Sequence, residues 1–474
     1  MSKHFTFKSL ADIRREAERM HLDISFEENL DHVWRSVPIG RRLIGNSFGI
    51  HPMEGCDGTH DGRPDELTFR RWKRFGESGA KLLWGEATAV TTEGRANARQ
   101  LQLSEANLKS FEQLVTITRS AHRERFGSAD NFLIGLQLTH SGRFSYRKPI
   151  IAHHNPDIDA RTFIDKEKKI LLPSYYPVIS DDELARLEDA YVLAAANAAR
   201  VGFDFVDIKQ CHTYLLNELL AARSREGMYG GSFKNRTRFI RNVLKKIRDS
   251  LGDSMILASR INAFDGIPFQ KNADGIGAPS DVALPYTSGF GVDANNPLQE
   301  DLLEPLRLVA VLVAEGVKLL NVSLGSPYFN PHIGRPFERP SEGSYDSPEH
   351  PLIGVDRHFR ITETIQRTFP ELAVVGTGYS WLQQYFIHAA ESNLRKKRVS
   401  IVALGRGAIA YPDFVADLLA DGKLKSTKVC ITASFCTDLM RAKDILAEQL
   451  PAGCVPRDKL YADLYKKNIK DIDQ

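Results

Sequence analysis

The chain has 474 residues, 42% of them hydrophobic, which is enough to bury a large core. Its 63 Lys and Arg balance 60 Asp and Glu to a net charge of +3, with no basic tract of the length a nucleic-acid backbone would need. Five scattered cysteines exclude a disulfide scaffold, and neither a leader-like start at Met1-Ser2-Lys3 nor an apolar run of about 18 residues is present, so the expectation is a soluble cytoplasmic protein with no nucleic-acid or membrane partner.

Short apolar runs at residues 44–53, 81–88, 131–139, 203–209, 255–261, 319–324, 372–376 and 399–404 read as strands. Helical patterns fall among them at 69–78, 181–201, 235–250, 300–316 and 413–421. Strand followed by amphipathic helix, repeated around eight strands, predicts an α/β fold of the (β/α)8 TIM-barrel type. We expect residues 1–421 to form that barrel, with an N-terminal lead-in, and 422–474 to pack on it as a C-terminal extension, not an independent domain. Two stretches rich in Gly and Pro, 264–296 and 325–351, read as rim loops acting as lids or specificity loops. The basic run Arg395-Lys396-Lys397-Arg398 reads as a solvated turn.

The fourth strand ends in Lys209-Gln210-Cys211-His212-Thr213-Tyr214, three proton-handling side chains where barrel enzymes place chemistry. Other strand ends are polar too: Pro52-Met53-Glu54, Glu86-Ala87-Thr88, Gln137-Leu138-Thr139-His140, Arg260 and Gly405-Arg406. A buried Arg260 needs either a carboxylate partner or an anionic ligand. The amide of Gln137 suits a heterocycle edge or a structural hydrogen bond. Thr377-Gly378 and Gly405-Arg406-Gly407, after the seventh and eighth strands, have the make-up of a phosphate cradle. Arg223, Tyr229-Gly230-Gly231-Ser232 and Asn235-Arg236 are expected to shape the rim. Cys430, Cys436 and Cys454 contain no C-x2-C pair, so no metal site is expected, and a Rossmann fingerprint is absent.

Taken together, Pro52-Met53, Gly85-Glu86-Ala87-Thr88-Ala89-Val90, Gln137-Leu138-Thr139-His140-Ser141-Gly142-Arg143, Tyr214-Leu215-Leu216-Asn217, Tyr229-Gly230-Gly231-Ser232 with Asn235-Arg236, and Ala403-Leu404-Gly405-Arg406 carry a likeness. Over roughly residues 40–420 the chain resembles the old yellow enzyme family of FMN-dependent ene-reductases and NADH:flavin oxidoreductases. The resemblance implies non-covalent FMN, with NADH or NADPH as reductant and a small-molecule substrate taking turns over the flavin; a homo-oligomer is compatible with it. It implies a cofactor site of Pro52, Met53, Glu54, Ala87, Gln137, Arg260, Gly378, Gly405 and Arg406, in which Gln137 meets the pyrimidine edge, Arg260 the N1/C2 carbonyl side, and Gly378, Gly405 and Arg406 the phosphate. Glu54 stands where the family often has Thr or Cys. Lys209 and His212 stand where it usually has His and then His or Asn, and Tyr214 matches its proton-donating tyrosine. Dienoyl-CoA reductase-like relatives add an iron–sulfur site; here Ala433 stands between Cys430 and Cys436 where another cysteine is expected, so FMN alone is predicted.

The expected reaction is reduction of an activated C=C bond, with hydride from flavin N5 and with Lys209 and His212 holding a polarised substrate oxygen. One alternative keeps the flavin and oxidises an amine or a saturated ring. A more distant one makes Lys209 a Schiff-base nucleophile of a barrel lyase, with Arg260 and Arg406 binding a phosphorylated substrate.

Overall fold

Eight parallel strands close on themselves in the order of the chain. The computed structural model describes residues 4–443 and 448–469. The barrel strands are β1 (Phe48–Ile50), β2 (Leu82–Ala89), β3 (Leu133–Thr139), β4 (Phe205–Ile208), β5 (Ile256–Phe264), β6 (Leu319–Leu324), β7 (Ala373–Gly376) and β8 (Ile401–Leu404), and β8 pairs back onto β1. Around them run α1 (Glu66–Gly76), α2 (Leu108–Phe126), α3 (Asp181–Arg200), α4 (Arg238–Leu251), α5 (Leu303–Ala314), α6 (Pro351–Thr368), α7 (Phe386–Arg395) and α8 (Phe414–Asp421), one after each strand. This is the (β/α)8 barrel that the alternation of patterns leads one to expect.

The two-residue period of a strand decides what lies inside. Leu82, Trp84, Leu133, Phe205, Ala258, Leu319, Val375 and Ile401 form one buried apolar cluster, the barrel floor. Their next neighbours along each strand, such as Leu83, Ile134, Val206 and Leu320, belong to the larger cluster beneath the helices. Continuing the inward period toward the C-terminal ends brings Gln137, Asp207, Lys209, Arg260, Asn321 and Ser323 to the inner face, all buried. Gly135 is needed on the way, because a Cβ there would meet the Phe205 ring.

The first strand corrects an expectation. Residues 44–53 do not form one strand: Ile44 belongs to an antiparallel hairpin, Val37–Ile39 with Arg42–Ile44, and the barrel strand begins at Phe48. Val37, Ile39 and Ile44 join the inward-facing apolar cluster, so this hairpin seals the floor, which is why its composition reads as strand. The basic run at the end of α7 is an exposed turn at Arg395, Lys396 and Lys397, as expected, but not at Arg398. Arg398 is buried and pairs with Asp23 and Glu363, while Arg395 pairs with Glu27, so the run clamps the N-terminal lead-in.

The loop 264–296 carries a small hairpin, Phe269–Lys271 with Gly277–Pro279, and 325–351 carries the short helix Pro331–Gly334. Beyond α8, helices Phe435–Arg441 and Lys459–Asn468 bury Leu439, Leu450, Tyr461 and Tyr465 together. This segment is tied to α1 by Asp458, 2.8 Å from Arg70 and 3.0 Å from Arg74. Residues 444–447 and 470–474 of the 422–474 extension, and Met1-Ser2-Lys3 at the start, lie outside the described residues.

Candidate active site

Asp207 organises the inner face. It accepts hydrogen bonds from Gln137 Nε2 at 2.6 Å, Trp84 Nε1 at 2.8 Å and the Arg260 backbone N–H at 2.7 Å. Three donors converge on one buried carboxylate, so the Gln137 amide is fixed with its nitrogen toward Asp207. The expected structural role of Gln137 is therefore real, and its carbonyl oxygen is left over for a ligand.

Among the described residues Arg260 lacks the carboxylate partner that its burial calls for; its Nη2 reaches Ser323 Oγ at 3.4 Å, and its Nε has no partner. An unpaired guanidinium at the mouth of a barrel is costly unless an anionic or strongly polarised group completes it. A second such group lies beside β8. Arg406 donates through Nη2 to the carbonyl of Pro336 at 2.7 Å, and its buried Nη1 has no partner among the described residues. Arg335, from the helix Pro331–Gly334 loop, comes close to it: burial and the Arg406 charge lower its pKa to about 9. Two neighbouring guanidiniums are the kind of charge that an anion would offset. Gly378, at φ 96°, and Gly405, where a Cβ would meet Met53 Sδ at 2.9 Å, keep the neighbouring backbone bare.

The segment after β4 bears the second half of the site. His212 and Thr213 both have positive φ, 65° and 62°, a strained pair that reverses the chain at the strand end. Asn217 holds the reversal by accepting from the Thr213 N–H at 2.7 Å. As a result Lys209 Nζ stands 3.8 Å from the centroid of the Tyr214 ring. Among the described residues the ammonium makes no hydrogen bond or ion pair, and burial lowers its pKa. His212 Nε2 lies 2.9 Å from Ser323 Oγ. Burial, and then the Arg260 and Lys209 charges, push the imidazole well below its ordinary value, so it is neutral near pH 7. If Ser323 accepts from Arg260, its own hydroxyl proton is free for His212 Nε2, leaving the ring proton on Nδ1.

Glu54 faces this cluster from the β1 end. Burial raises its carboxyl to about 7, Lys209 pulling it down and Glu86 pushing it up. Glu86 is itself held by Arg71 and Trp72, and Gly55 between the two carboxylates has no room for a side chain beside Arg71. Of the other expected positions, Pro52 is buried and Met53 partly so, and Ala87 follows a bulge in β2 and takes Gln100 Nε2 on its carbonyl at 3.1 Å. Arg223 and Arg236 both pair with Glu304 and so shape the rim.

Residues that the strand-end pattern did not single out are Asp207, Ser323, Arg335, Tyr328 and His51. His51 is buried, accepts at Nδ1 from Asn321 Nδ2 at 3.0 Å, and among the described residues leaves Nε2 unpartnered. Asp207, Ser323 and His51 follow from the inward period, since each lies two residues from a position already inside. Arg335 and Tyr328 come from an irregular loop and carry no such signal. Among the described residues no group of three or more His, Cys, Asp or Glu is placed to hold a metal ion, and no helix is long and apolar enough to cross a membrane.

Known proteins share this fold and part of this sequence. An NADPH dehydrogenase of Clostridium acetobutylicum is 23% identical over 402 residues, covering 84% of this chain and 96% of that one. A 2-naphthoyl-CoA reductase structure with 2-naphthoyl-CoA superposes with a TM-score of 0.66 at 15% identity, over 92% of this chain but only 58% of that one. The old yellow enzyme homologue from Zymomonas mobilis has a TM-score of 0.59 at 18% identity, over 84% and 95%. The structural likenesses bear on the fold. The model of the NADH:flavin oxidoreductase / NADH oxidase family matches residues 35–278, slightly over half of the chain. The chain belongs to that family, the old yellow enzyme family its motifs resemble, and is an FMN-dependent oxidoreductase with a reduced nicotinamide nucleotide as its reductant.

Proposed function

We propose that this enzyme reduces a C=C bond conjugated to a carbonyl or carboxyl group. The observation that carries the proposal is Lys209, a buried ammonium without a hydrogen-bond partner among the described residues, lying against the ring of a buried phenol.

The residues present fit FMN. Arg260 and Gln137 would hold the polar edge of its ring system: Arg260 supplies the unpaired buried nitrogen, Gln137 the free carbonyl. Gly378, Gly405 and Arg406 would hold the phosphate, and Arg335 adds a second cation there. Pro52, Met53, Glu54 and Ala87 would line the remaining edge. When bound, FMN accepts hydride from NADH or NADPH and supplies it to the substrate.

The protein's part is to hold the substrate oxygen and to manage protons. Lys209 offers three N–H donors, and neutral His212 one, to an oxygen that gains negative charge as the alkene takes up hydride. The fixed charge of Lys209 favours an anionic or strongly polarised oxygen over a neutral ketone. Tyr214, whose phenol is held well above its ordinary pKa by burial, keeps its proton until a basic α carbon forms. Lys209 and Arg260 also repel a protonated amine, which counts against amine oxidation. Residues 422–474 serve this site as an extension of the 1–421 barrel; Ala452 N–H bonds Gly55 O at 2.6 Å and Thr437 receives Arg335 at 2.7 Å.

The test is product analysis with NADH and NADPH over a matched set of enones, enoates and amines. The proposal requires the saturated carbonyl or carboxyl product; turnover confined to the amines would overturn it.

A further inference from the structure

We propose that Tyr328 returns a proton to Tyr214, so that two tyrosines relay one from water to the substrate's α carbon. This rests on Tyr214 being the proton donor of the reaction proposed above. Tyr214 is only 4% exposed, so after giving up its proton it has little direct access to bulk water. Tyr328, from the loop between β6 and α6, has 41% of its surface exposed, although the surroundings of its hydroxyl are desolvated enough to push its pKa up to about 12. Its hydroxyl lies 3.3 Å from that of Tyr214, and among the described residues neither hydroxyl has another hydrogen-bond partner.

The placement of Tyr328 is built, not incidental. Its ring stacks on Phe144 with centroids 3.7 Å apart and planes 13° from parallel. Its N–H donates to Ser326 Oγ at 3.4 Å, and the carbonyl of the preceding Pro327 accepts from Arg441 at 3.1 Å. Stacking alone would be served equally by phenylalanine. The hydroxyl adds nothing to that packing, yet it ends beside the one group in the site that must be reprotonated every turnover. Glu54 is the competing proton source, but its carboxyl accepts from Gln100 Nε2 at 3.4 Å and, among the described residues, makes no hydrogen bond to Tyr214.

The step balances simply. The Tyr214 O–H bond breaks as the α C–H bond forms, and the O–H electron pair stays on the phenolate. The Tyr328 O–H proton then moves to that phenolate, and water restores Tyr328. Hydride comes from the reduced nicotinamide by way of the cofactor, so each turnover consumes one hydride and one water-derived proton.

Three variants of the FMN-loaded enzyme test the relay: Tyr328→Phe, Tyr214→Phe and the double substitution. FMN content is checked in each. Steady-state turnover is expected to slow roughly ten- to a hundredfold in Tyr328→Phe, while the first oxidation of prereduced enzyme by substrate, which uses the proton already on Tyr214, keeps its rate. The double variant should be no slower than Tyr214→Phe, because removing the second link of a chain already cut costs nothing more. In the absence of substrate, the infrared C–O stretch of isotope-labelled Tyr214 should shift in Tyr328→Phe, a change that packing alone would not cause. An unaltered stretch, an unaltered steady-state rate in Tyr328→Phe, or additive losses in the double variant would overturn the relay while leaving Tyr214 as donor. An unaltered rate in Tyr214→Phe would overturn the donor itself, and the relay with it.

Discussion

The Lys209 ammonium lies 3.8 Å from the centre of the Tyr214 ring, and among the described residues it makes no hydrogen bond or ion pair. A cation on an aromatic face keeps its N–H bonds available while the ring offsets part of its desolvation. The left-handed pair His212 and Thr213 makes this contact by folding the chain back at the end of β4. Charge and proton donor are thus positioned as one unit.

Lys209→His should therefore discriminate among substrates. For enoates and strongly polarised enones, we expect kcat/KM to fall roughly 100- to 1,000-fold, the usual cost of losing one oxyanion donor. Neutral, weakly polarised ketones should lose far less. Steady-state kinetics over a matched series reads this out; equal losses throughout would remove the special role of the charge.

Arg260→Met is expected to act in opposite directions on two measurements. In flavin-free protein it removes a buried, unpaired charge and should raise the unfolding free energy by about 1–3 kcal/mol. FMN affinity should drop by about 1.5–3 kcal/mol, the worth of a hydrogen bond to a charged group. Denaturant unfolding and flavin-fluorescence titration measure the two. Destabilisation of the flavin-free protein would show that Arg260 has a structural partner after all.

Arg406→Met and Arg335→Met should erode the preference for FMN over riboflavin. Arg406 follows the bared Gly405 directly and its charge is felt by Arg335, and riboflavin lacks the phosphate they would neutralise. Riboflavin affinity should stay close to that of the parent. A loss shared equally by both flavins would move the phosphate elsewhere.

Glu54 gives a pH dependence whose sign is fixed. Its folded-state value, about 7, lies above the ordinary 4.5, so between those values the folded protein keeps a proton that the unfolded chain has released. Stability falls as pH rises through that window, and the loss is complete above it. Glu54→Gln should thus be more stable than the parent near pH 8, by about 1–2 kcal/mol, and equal to it near pH 4. Thermal melts at the two pH values decide it; a variant less stable near pH 8 would mean that Glu54 is held ionised by Lys209.

Much of this site was legible because a barrel strand exposes its logic in alternate residues. Gln137, Lys209 and Arg260 ended apolar runs and proved to face inward. Asp207 hid among apolar neighbours as a presumed strand residue, although its three hydrogen bonds set the positions of the others. Ile44, the last residue of the floor hairpin, runs on in the sequence into the apolar residues of β1, since a buried plug and a buried strand share a composition. Tyr328 and Arg335 were out of reach for a different reason: only the tertiary path of the 325–351 loop brings them to the site, and no local period encodes that path.

The most direct measurement is an anaerobic one on the purified protein's visible spectrum. NADH or NADPH should bleach the oxidised flavin absorption, and an enoate or enone added next should restore it while yielding one equivalent of saturated product. Bleaching by an amine in place of NAD(P)H, with no recovery on adding either alkene, would contradict the account.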